Sequence, residues 1–398
     1  MYISTKKQRI EPLKGCSMVG IIEGILGIED ALPVVHGPLS CSSGHRMVYL
    51  FADKEPILPT TALTEQDLIL GSQDKLKYAL DKAYKIYKPK YLVIIITCAI
   101  SMSGEEFNVI INKFEKNNDC KVSVLDGSGL YGEEPDGFNL LYDDIIKRFN
   151  VNDTNSNVIS LDGIALSDVN ARKNYNTLLD MIKKYTNLKT GPSIFMDFNL
   201  ENDLDNYLNT QKIKIGHLWN KYDIENNRPA PYGVKGTFSW LKWIEEITGE
   251  KISNNLIKDY NKYNKKLSTI KENINFEKVK VVIEGDSWSS LGLASFIQNE
   301  LNAKVFLSTD NYGVQYNKNN KLVNEIYNDM GGYELFKKAN EINPDLVFGS
   351  SYIRCKKKWD IIPFSQPVYH LYEKDHNLLG FEGVFNIVDL IKKSIKNK

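Results

Sequence analysis

Tyr91-Leu92-Val93-Ile94-Ile95-Ile96-Thr97 decides the fold class. A strand with one face in water alternates apolar and polar residues. This run is apolar on both faces, as the central strand of a parallel sheet must be. Parallel strands need crossover connections, usually helices, so the run implies amphipathic helices on either side. Helical patterning falls near Gln66–Tyr87 and Glu105–Asn117. Further strands are expected at Leu32–His36, Ile57–Thr61 and Lys121–Asp126, with an apolar helix at Ser17–Leu26.

The alternation of strand and helix continues down the chain, which is the mark of an α/β fold. A polar segment, Val151-Asn-Asp-Thr-Asn-Ser-Asn157, reads as a domain boundary. A second block starts at Asn157–Asp162, with a helix near Ala171–Tyr185 and a strand near Pro192–Asp197. A long charged helix near Asn254–Asn273 leads to a third block. It has strands at Lys278–Glu284, Ala303–Ser308 and Asp345–Gly349, and helices at Trp288–Leu301 and Glu382–Lys396. The expected fold class is α/β, with three doubly wound, Rossmann-like domains and mainly parallel sheets. They span residues 1–153, 154–275 and 276–398.

Composition excludes several function classes. The 398 residues include 50 Lys plus Arg and 50 Asp plus Glu, a balance that argues against nucleic-acid binding through bulk charge. No run is long and apolar enough for a membrane span. The charged start, Met1 to Lys14, has no apolar signal core, so the expected location is cytoplasmic. Five cysteines, an odd number scattered over a long chain, do not read as a disulfide framework. They are core thiols, metal ligands or nucleophiles.

Cys16 stands in Gly15-Cys16-Ser17-Met18-Val19-Gly20, just before an apolar helix. Cys41 stands in His36-Gly37-Pro38-Leu39-Ser40-Cys41, after a strand. Cys98 directly follows the central strand in Thr97-Cys98-Ala99-Ile100-Ser101. Ligands of open α/β sheets gather beyond the carboxyl ends of the strands. Cys16 would sit at a helix N-terminus, where backbone N–H groups favour a thiolate. Gly15, Gly37 and Gly44 would let the backbone approach a bulky ligand. Thiolates suit iron–sulfur clusters, zinc or Cu(I). No C-x-x-C pair exists, which disfavours a zinc ribbon. A buried structural cysteine is the plain alternative for each.

These three contexts occur in order. Between them lies Pro59-Thr60-Thr61-Ala62-Leu63-Thr64-Glu65-Gln66-Asp67 with Gly71, and Cys98 is followed by Met102-Ser103-Gly104-Glu105-Glu106. Together they resemble the nitrogenase component 1 family, which contains the nitrogenase α and β subunits, cofactor-assembly scaffold subunits and protochlorophyllide reductase subunits. Gly380-Phe381-Glu382-Gly383 before an apolar helix adds to the resemblance. Glu105-Glu106 stands where the family more usually has Asp-Asp.

The resemblance implies that Cys16, Cys41 and Cys98 take the family's cluster-ligand positions. The implied cofactor is an iron–sulfur cluster, 4Fe–4S or a larger P-cluster-like one, shared at a subunit interface. The implied partners are a homologous component 1 subunit, in a homo- or hetero-oligomer, and an ATP-dependent iron–sulfur reductase protein. The implied function is that of a nitrogenase-like reductase subunit, carrying electrons from that iron protein to a reducible substrate. The alternative is a scaffold for assembling a nitrogenase-type metallocluster. A metal-free α/β binding protein derived from the family is a third reading. The apolar helix from Met18 to Ile28, with Gly20, Gly24 and Gly27, is the expected packing element beside the interface, or else it packs within its own domain.

His370, ten residues before Gly380, resembles the α subunit's cofactor histidine in spacing; a histidine hydrogen-bonded at a pocket edge is the alternative. That α subunit also carries a cofactor-ligating cysteine in its middle region, and this chain has none between Cys120 and Cys355. His36 reads as structural, with its ring near the Cys41 loop, and Cys120 as core. Arg354-Cys355-Lys356-Lys357-Lys358 could attract an anion but also fits a solvated face. Gly285-Asp286-Ser287-Trp288 could form a ligand-contacting turn. No G-x-x-x-x-G-K-S/T occurs, so no P-loop ATPase is expected on this chain.

Overall fold

The computed structural model describes residues 2–4, 15–48, 54–152, 154, 156–216, 218–219, 228–328, 330–350, 359–365, 368 and 377–396. Every strand pair among them is parallel, and the strands fall into three sheets. The fold class is the α/β one expected.

The first sheet has the order β2 (Ala31–His36), β3 (Tyr91–Ile96), β4 (Lys121–Asp126). The apolar run of β3 is buried on both faces. Tyr91, Val93 and Ile95 enter one core layer with helix α1 (Ser17–Leu26) and helix α7 (Glu134–Arg148). Leu92 and Ile94 enter the opposite layer, with α4 (Gln73–Tyr87) and α6 (Asn108–Asn117). The second sheet centres on β5 (Val158–Asp162), between β6 (Lys189–Thr190) and β7 (Gln211–Lys214).

The third sheet has six strands. Its order is β1 (Tyr2–Ser4), β10 (Ile326–Asn328), β9 (Lys304–Thr309), β8 (Lys280–Glu284), β11 (Leu346–Gly349), β12 (Asp360–Pro363). Strand order runs one way from β8 to β10 and the other way from β11 to β12, so the sheet is doubly wound. The first strand of the chain therefore lies at the edge of the last sheet. The largest core cluster joins side chains of the second and third sheets, from Ile159 to Ile391.

Four elements differ from the sequence expectation. Ile57–Thr61 is not a strand: it makes one bridge, Thr60 to Val35, beside a Pro59 that has no N–H to give a ladder. Pro192–Asp197 is not a strand because the Ile194 N–H and Ser193 hydroxyl are drawn to the buried Asp162 carboxylate. The helical stretch from Gln66 breaks into α3 (Glu65–Leu70) and α4 at Gly71, whose φ of 104° lies in the region open to glycine. Trp288–Leu301 changes from α to π helix at Phe296.

Helix α1 is buried along its whole length. Its glycines serve this chain rather than a partner. A Cβ on Gly20 would run into the Glu134 carbonyl and sit 2.7 Å from the Phe138 nitrogen, and a Cβ on Gly137 of α7 would run into Ser17. The two backbones touch directly, so the close approach that the α1 glycines allow is used within this chain.

This contact generates a paired prediction. Gly20→Ala should destabilise the fold by about 1–3 kcal/mol through overpacking. Gly44→Ala, in the helix α2 (Leu39–Val48) where a Cβ meets nothing, should stabilise by about 0.5–1 kcal/mol. Urea midpoints that shift the same way for both would contradict the packing.

Candidate functional site

The register of the first sheet sets the site. His36, Ile96 and Asp126 are neighbouring Cα partners at the ends of β2, β3 and β4. The chain therefore leaves the sheet at one level three times. After β2 it turns into α2, whose third residue is Cys41. After β3 it enters α5 (Cys98–Ser103) with Cys98 as first residue. After β4 it forms the loop Gly127-Ser128-Gly129-Leu130-Tyr131-Gly132.

That loop brings in Cys16, which lies on no strand of this sheet. The Met18 N–H donates to the Gly127 carbonyl, the Ser17 N–H to the Gly132 carbonyl, and the Ser17 hydroxyl to the Asp126 carbonyl at 2.8 Å. Cys16 becomes the N-cap of α1 and bridges Glu133. The Gly129 N–H donates to the Cys98 sulfur at 3.4 Å, and a Cβ on Gly129 would stand 3.5 Å from that of Cys16. Asp126 ties the pieces together, accepting from the Ser101 hydroxyl of α5 at 2.9 Å and from the Ser128 N–H. Sequence reading missed Asp126, Ser128 and Gly129. Their signal was a glycine-rich turn directly after a strand, at the edge where the cysteines were expected.

The structure thus brings Cys16, Cys41 and Cys98 together, and none of the three is in a disulfide. Burial raises the Cys16 thiol most, and the charge on Cys98 raises it further; the Met18 N–H works the other way and loses. The expected thiolate-favouring helix terminus is therefore outweighed by desolvation. Cys41 is likewise raised, by burial and then by Cys98. Thiols that disfavour one another's charge in this way need a cation before all can ionise, and metal binding is what drives their protons off. Among the described residues no three His, Cys, Asp or Glu side chains converge as ligands of one ion would. Soft donors that are mutually coupled without meeting at a point suit a multi-metal cluster better than a lone zinc. An N–H aimed at a sulfur is the kind of contact that tunes such a cluster.

The glycines play different parts. The missing Cβ of Gly37 makes room for the Thr97 side chain, not for a ligand. Cys98 is exposed, and the segments around the thiols carry exposed apolar side chains: Leu39, Met102 at 78%, Leu130 at 65% and Tyr131.

His36 is wholly buried and structural, and the Thr61 hydroxyl that its ring meets also takes the Gly37 N–H at the start of the loop to Cys41. Nδ1 lies 3.1 Å from the Thr61 hydroxyl and Nε2 lies 2.8 Å from that of Ser72. The ring meets Phe107 edge-on. Cys120 is core as expected, its thiol pushed up by burial to about 12. His370 and Cys355, with the basic run beside it, lie outside the described residues. In the Gly285–Trp288 turn, Asp286 accepts the Trp288 and Ser289 N–H groups and so starts the next helix. Ser287 and Trp288 border a cleft of about 890 Å³ that also takes in Arg228, Lys235 and Tyr316. No helix among the described residues is long and apolar enough to cross a membrane.

Comparison with known proteins adds the family. The family model described as nitrogenase component 1 type oxidoreductase matches residues 16–396. The nitrogenase molybdenum-iron protein beta chain of Crocosphaera subtropica is 20% identical, over 98% of this chain and 84% of its own. The nitrogenase iron-molybdenum cofactor biosynthesis protein NifE of Clostridium pasteurianum is 22% identical, over 96% of this chain and 88% of its own. A solved structure of nitrogenase Cp1 at pH 6.5 superposes with a TM-score of 0.75 at 17% identity, covering 99% of this chain and 95% of the other.

His36 supplies a test of the described geometry. Burial holds its folded pKa at about 4, below its ordinary value of 6.5, with Glu105 pulling weakly upward. A depressed histidine contributes stability that is fully present above the unfolded pKa and is lost as pH falls toward the folded one. The loss should total about 3 kcal/mol between pH 6.5 and 4. Asp162, raised by burial to about 6, acts in the opposite direction over much of that range. The comparison must therefore be with His36→Gln, whose stability should fall less steeply with acid than the wild type. Parallel stability curves from pH 7 to 4 would contradict the burial of a neutral ring.

Proposed function

The chain belongs to the nitrogenase component 1 type oxidoreductases, and from that premise we propose that it is a redox subunit of a nitrogenase-like reductase. Cys16, Cys41 and Cys98 are its ligands for an iron–sulfur cluster, 4Fe–4S or larger. A separate ATP-dependent iron protein is its electron donor. The observation that carries this reading is the meeting of three thiols from distant segments at one sheet edge, each coupled to the charge of another.

When bound, the cluster supplies one-electron chemistry that no side chain here offers. The chain's own residues do the rest. Cys16 and Cys41 adjoin the apolar core and keep their side of the site dry. The Gly129 N–H stabilises charge on the Cys98 sulfur. Asp126 holds the Cys98 helix and the glycine loop in one arrangement.

A partner subunit completes the site. Three thiolates fall short of the usual four ligands. Cys98 is open to solvent, the segments that carry the thiols expose Leu39, Met102, Leu130 and Tyr131, and covering apolar side chains of this kind favours association. The homologous component 1 subunit is the proposed partner.

A scaffold for metallocluster assembly is the second reading, supported by the similarity to NifE, a cofactor biosynthesis protein. The two differ in what happens to the metal. A reductase keeps its cluster while substrate and reductant are consumed; a scaffold gives it up to an acceptor protein.

Anaerobically prepared protein should contain iron and acid-labile sulfide. Cys16→Ala, Cys41→Ala and Cys98→Ala should each lower the iron content, while Cys120→Ser and Cys355→Ser should retain it. Unchanged iron in all three alanine variants would overturn the ligand assignment. Size measurement under the same conditions should give an oligomer; a monomer with full iron content would overturn the shared-interface reading.

A further inference from the structure

Behind the thiols lies a buried polar chain that neither the fold nor the ligand assignment requires. Its members come from four separate stretches of the chain. Glu105 follows the Cys98 helix, Ser72 follows the Gly71 break, Thr61 lies beside β2, and His36 ends β2 five residues before Cys41.

The hydrogen bonds order themselves once the acceptors are counted. A carboxylate only accepts. Glu105 receives the Ser72 N–H on Oε1 at 2.9 Å and the Ser72 hydroxyl on Oε2 at 2.5 Å. With its proton given to Glu105, the Ser72 oxygen must accept at its other contact, which is His36 Nε2 at 2.8 Å. His36 therefore carries its proton on Nε2. A neutral imidazole with Nε2–H has Nδ1 as acceptor, so the Thr61 hydroxyl donates to Nδ1 at 3.1 Å. The Thr61 oxygen then accepts the Gly37 N–H, also at 3.1 Å. Gly37 opens the turn to Cys41. The Thr97 N–H and hydroxyl, directly before Cys98, close on the His36 carbonyl. The chain runs in one direction, from Gly37 through Thr61, His36 and Ser72 to Glu105. Its two ends are the segments that carry Cys41 and Cys98.

We infer that Glu105 is a positioning residue for the thiol site, holding His36 as the Nε2–H tautomer through Ser72 and so locking the Cys41 turn against the Cys98 turn. This rests on the ligand reading of the cysteines for its functional meaning, though not for its geometry. Each link is buried or partly buried, so it is little weakened by competing water. Removing one partner leaves the next unsatisfied. Loss of the Glu105 carboxylate frees the Ser72 hydroxyl to rotate and leaves the His36 tautomer undetermined. The Gly37 turn then loses its fixed acceptor.

The test uses the full chain, reduced and metal-free, with nitrogen-15 in its histidines. His36→Gln assigns the His36 ring signals. At neutral pH the wild type should show the Nε2–H tautomer. Glu105→Ala and Ser72→Ala should both disturb it, and Ser72→Thr, which keeps the hydroxyl, should restore it. Alkylation followed by mass spectrometry gives the second readout: Cys41 and Cys98 should change severalfold in rate in the two alanine variants, with buried Cys120 unchanged. An Nδ1–H or doubly protonated His36 in the wild type overturns the inference without any variant. So do unaltered Cys41 and Cys98 rates in variants whose Cys120 stays protected. Failure of the ligand reading looks different: iron content would survive the cysteine substitutions while the His36 tautomer remained as stated.

Discussion

Parallel register at the end of the first sheet is the constraint on which the rest of the site depends. Because His36, Ile96 and Asp126 are Cα partners, the segments after β2, β3 and β4 start at one height and have to share the space above the sheet. Two bring a cysteine, and the third brings the glycine loop. A slip of one residue in any strand would turn its side chains to the other face. It would also carry Cys41 or Cys98 away from the other thiol. The double-sided burial of β3 resists such a slip, since Leu92 and Ile94 fill one layer while Val93 and Ile95 fill the other.

Cys16 depends on a second constraint, direct backbone contact between two helices. Gly20 and Gly137 let α1 settle onto α7, and the N-terminus of α1 then meets the loop that α7 follows. The three thiols thus come from one sheet edge and one helix end. They are held by different physics, ladder hydrogen bonds for two and close packing for the third. The shared loop at Gly129 is where these meet.

Buried polar groups do much of the remaining ordering. Asp162 takes the Ser193 and Tyr207 hydroxyls and the Ile194 N–H, and this is why Pro192–Asp197 does not become a strand. His36 joins loops that the sheet alone would leave free. Each such group is satisfied by partners distant in the chain, so each works only after the fold has assembled. Their opposite responses to acid, with His36 lowered and Asp162 raised, show that burial disfavours the charged form of either sign.

The amino-acid sequence by itself determined the α/β class, because hydrophobic period is a local property and β3 could be read without its neighbours. It determined the bounds of Ser17–Leu26, Lys121–Asp126 and Ala171–Tyr185 as well, where pattern and termini agree. The cysteine contexts and their likeness to one family were also legible, since a motif is carried by neighbours in the chain. Tertiary structure alone decided the rest. It placed Tyr2–Ser4 at the edge of the last sheet, turned the glycines of α1 inward onto α7, and set burial above the helix terminus in the balance at Cys16. It also joined Glu105 to His36 through Ser72. The physical reason is common to all of these: each depends on which surfaces meet across long separations in the chain. Desolvation, close approach and the pairing of buried polar groups exist only once those surfaces are in contact.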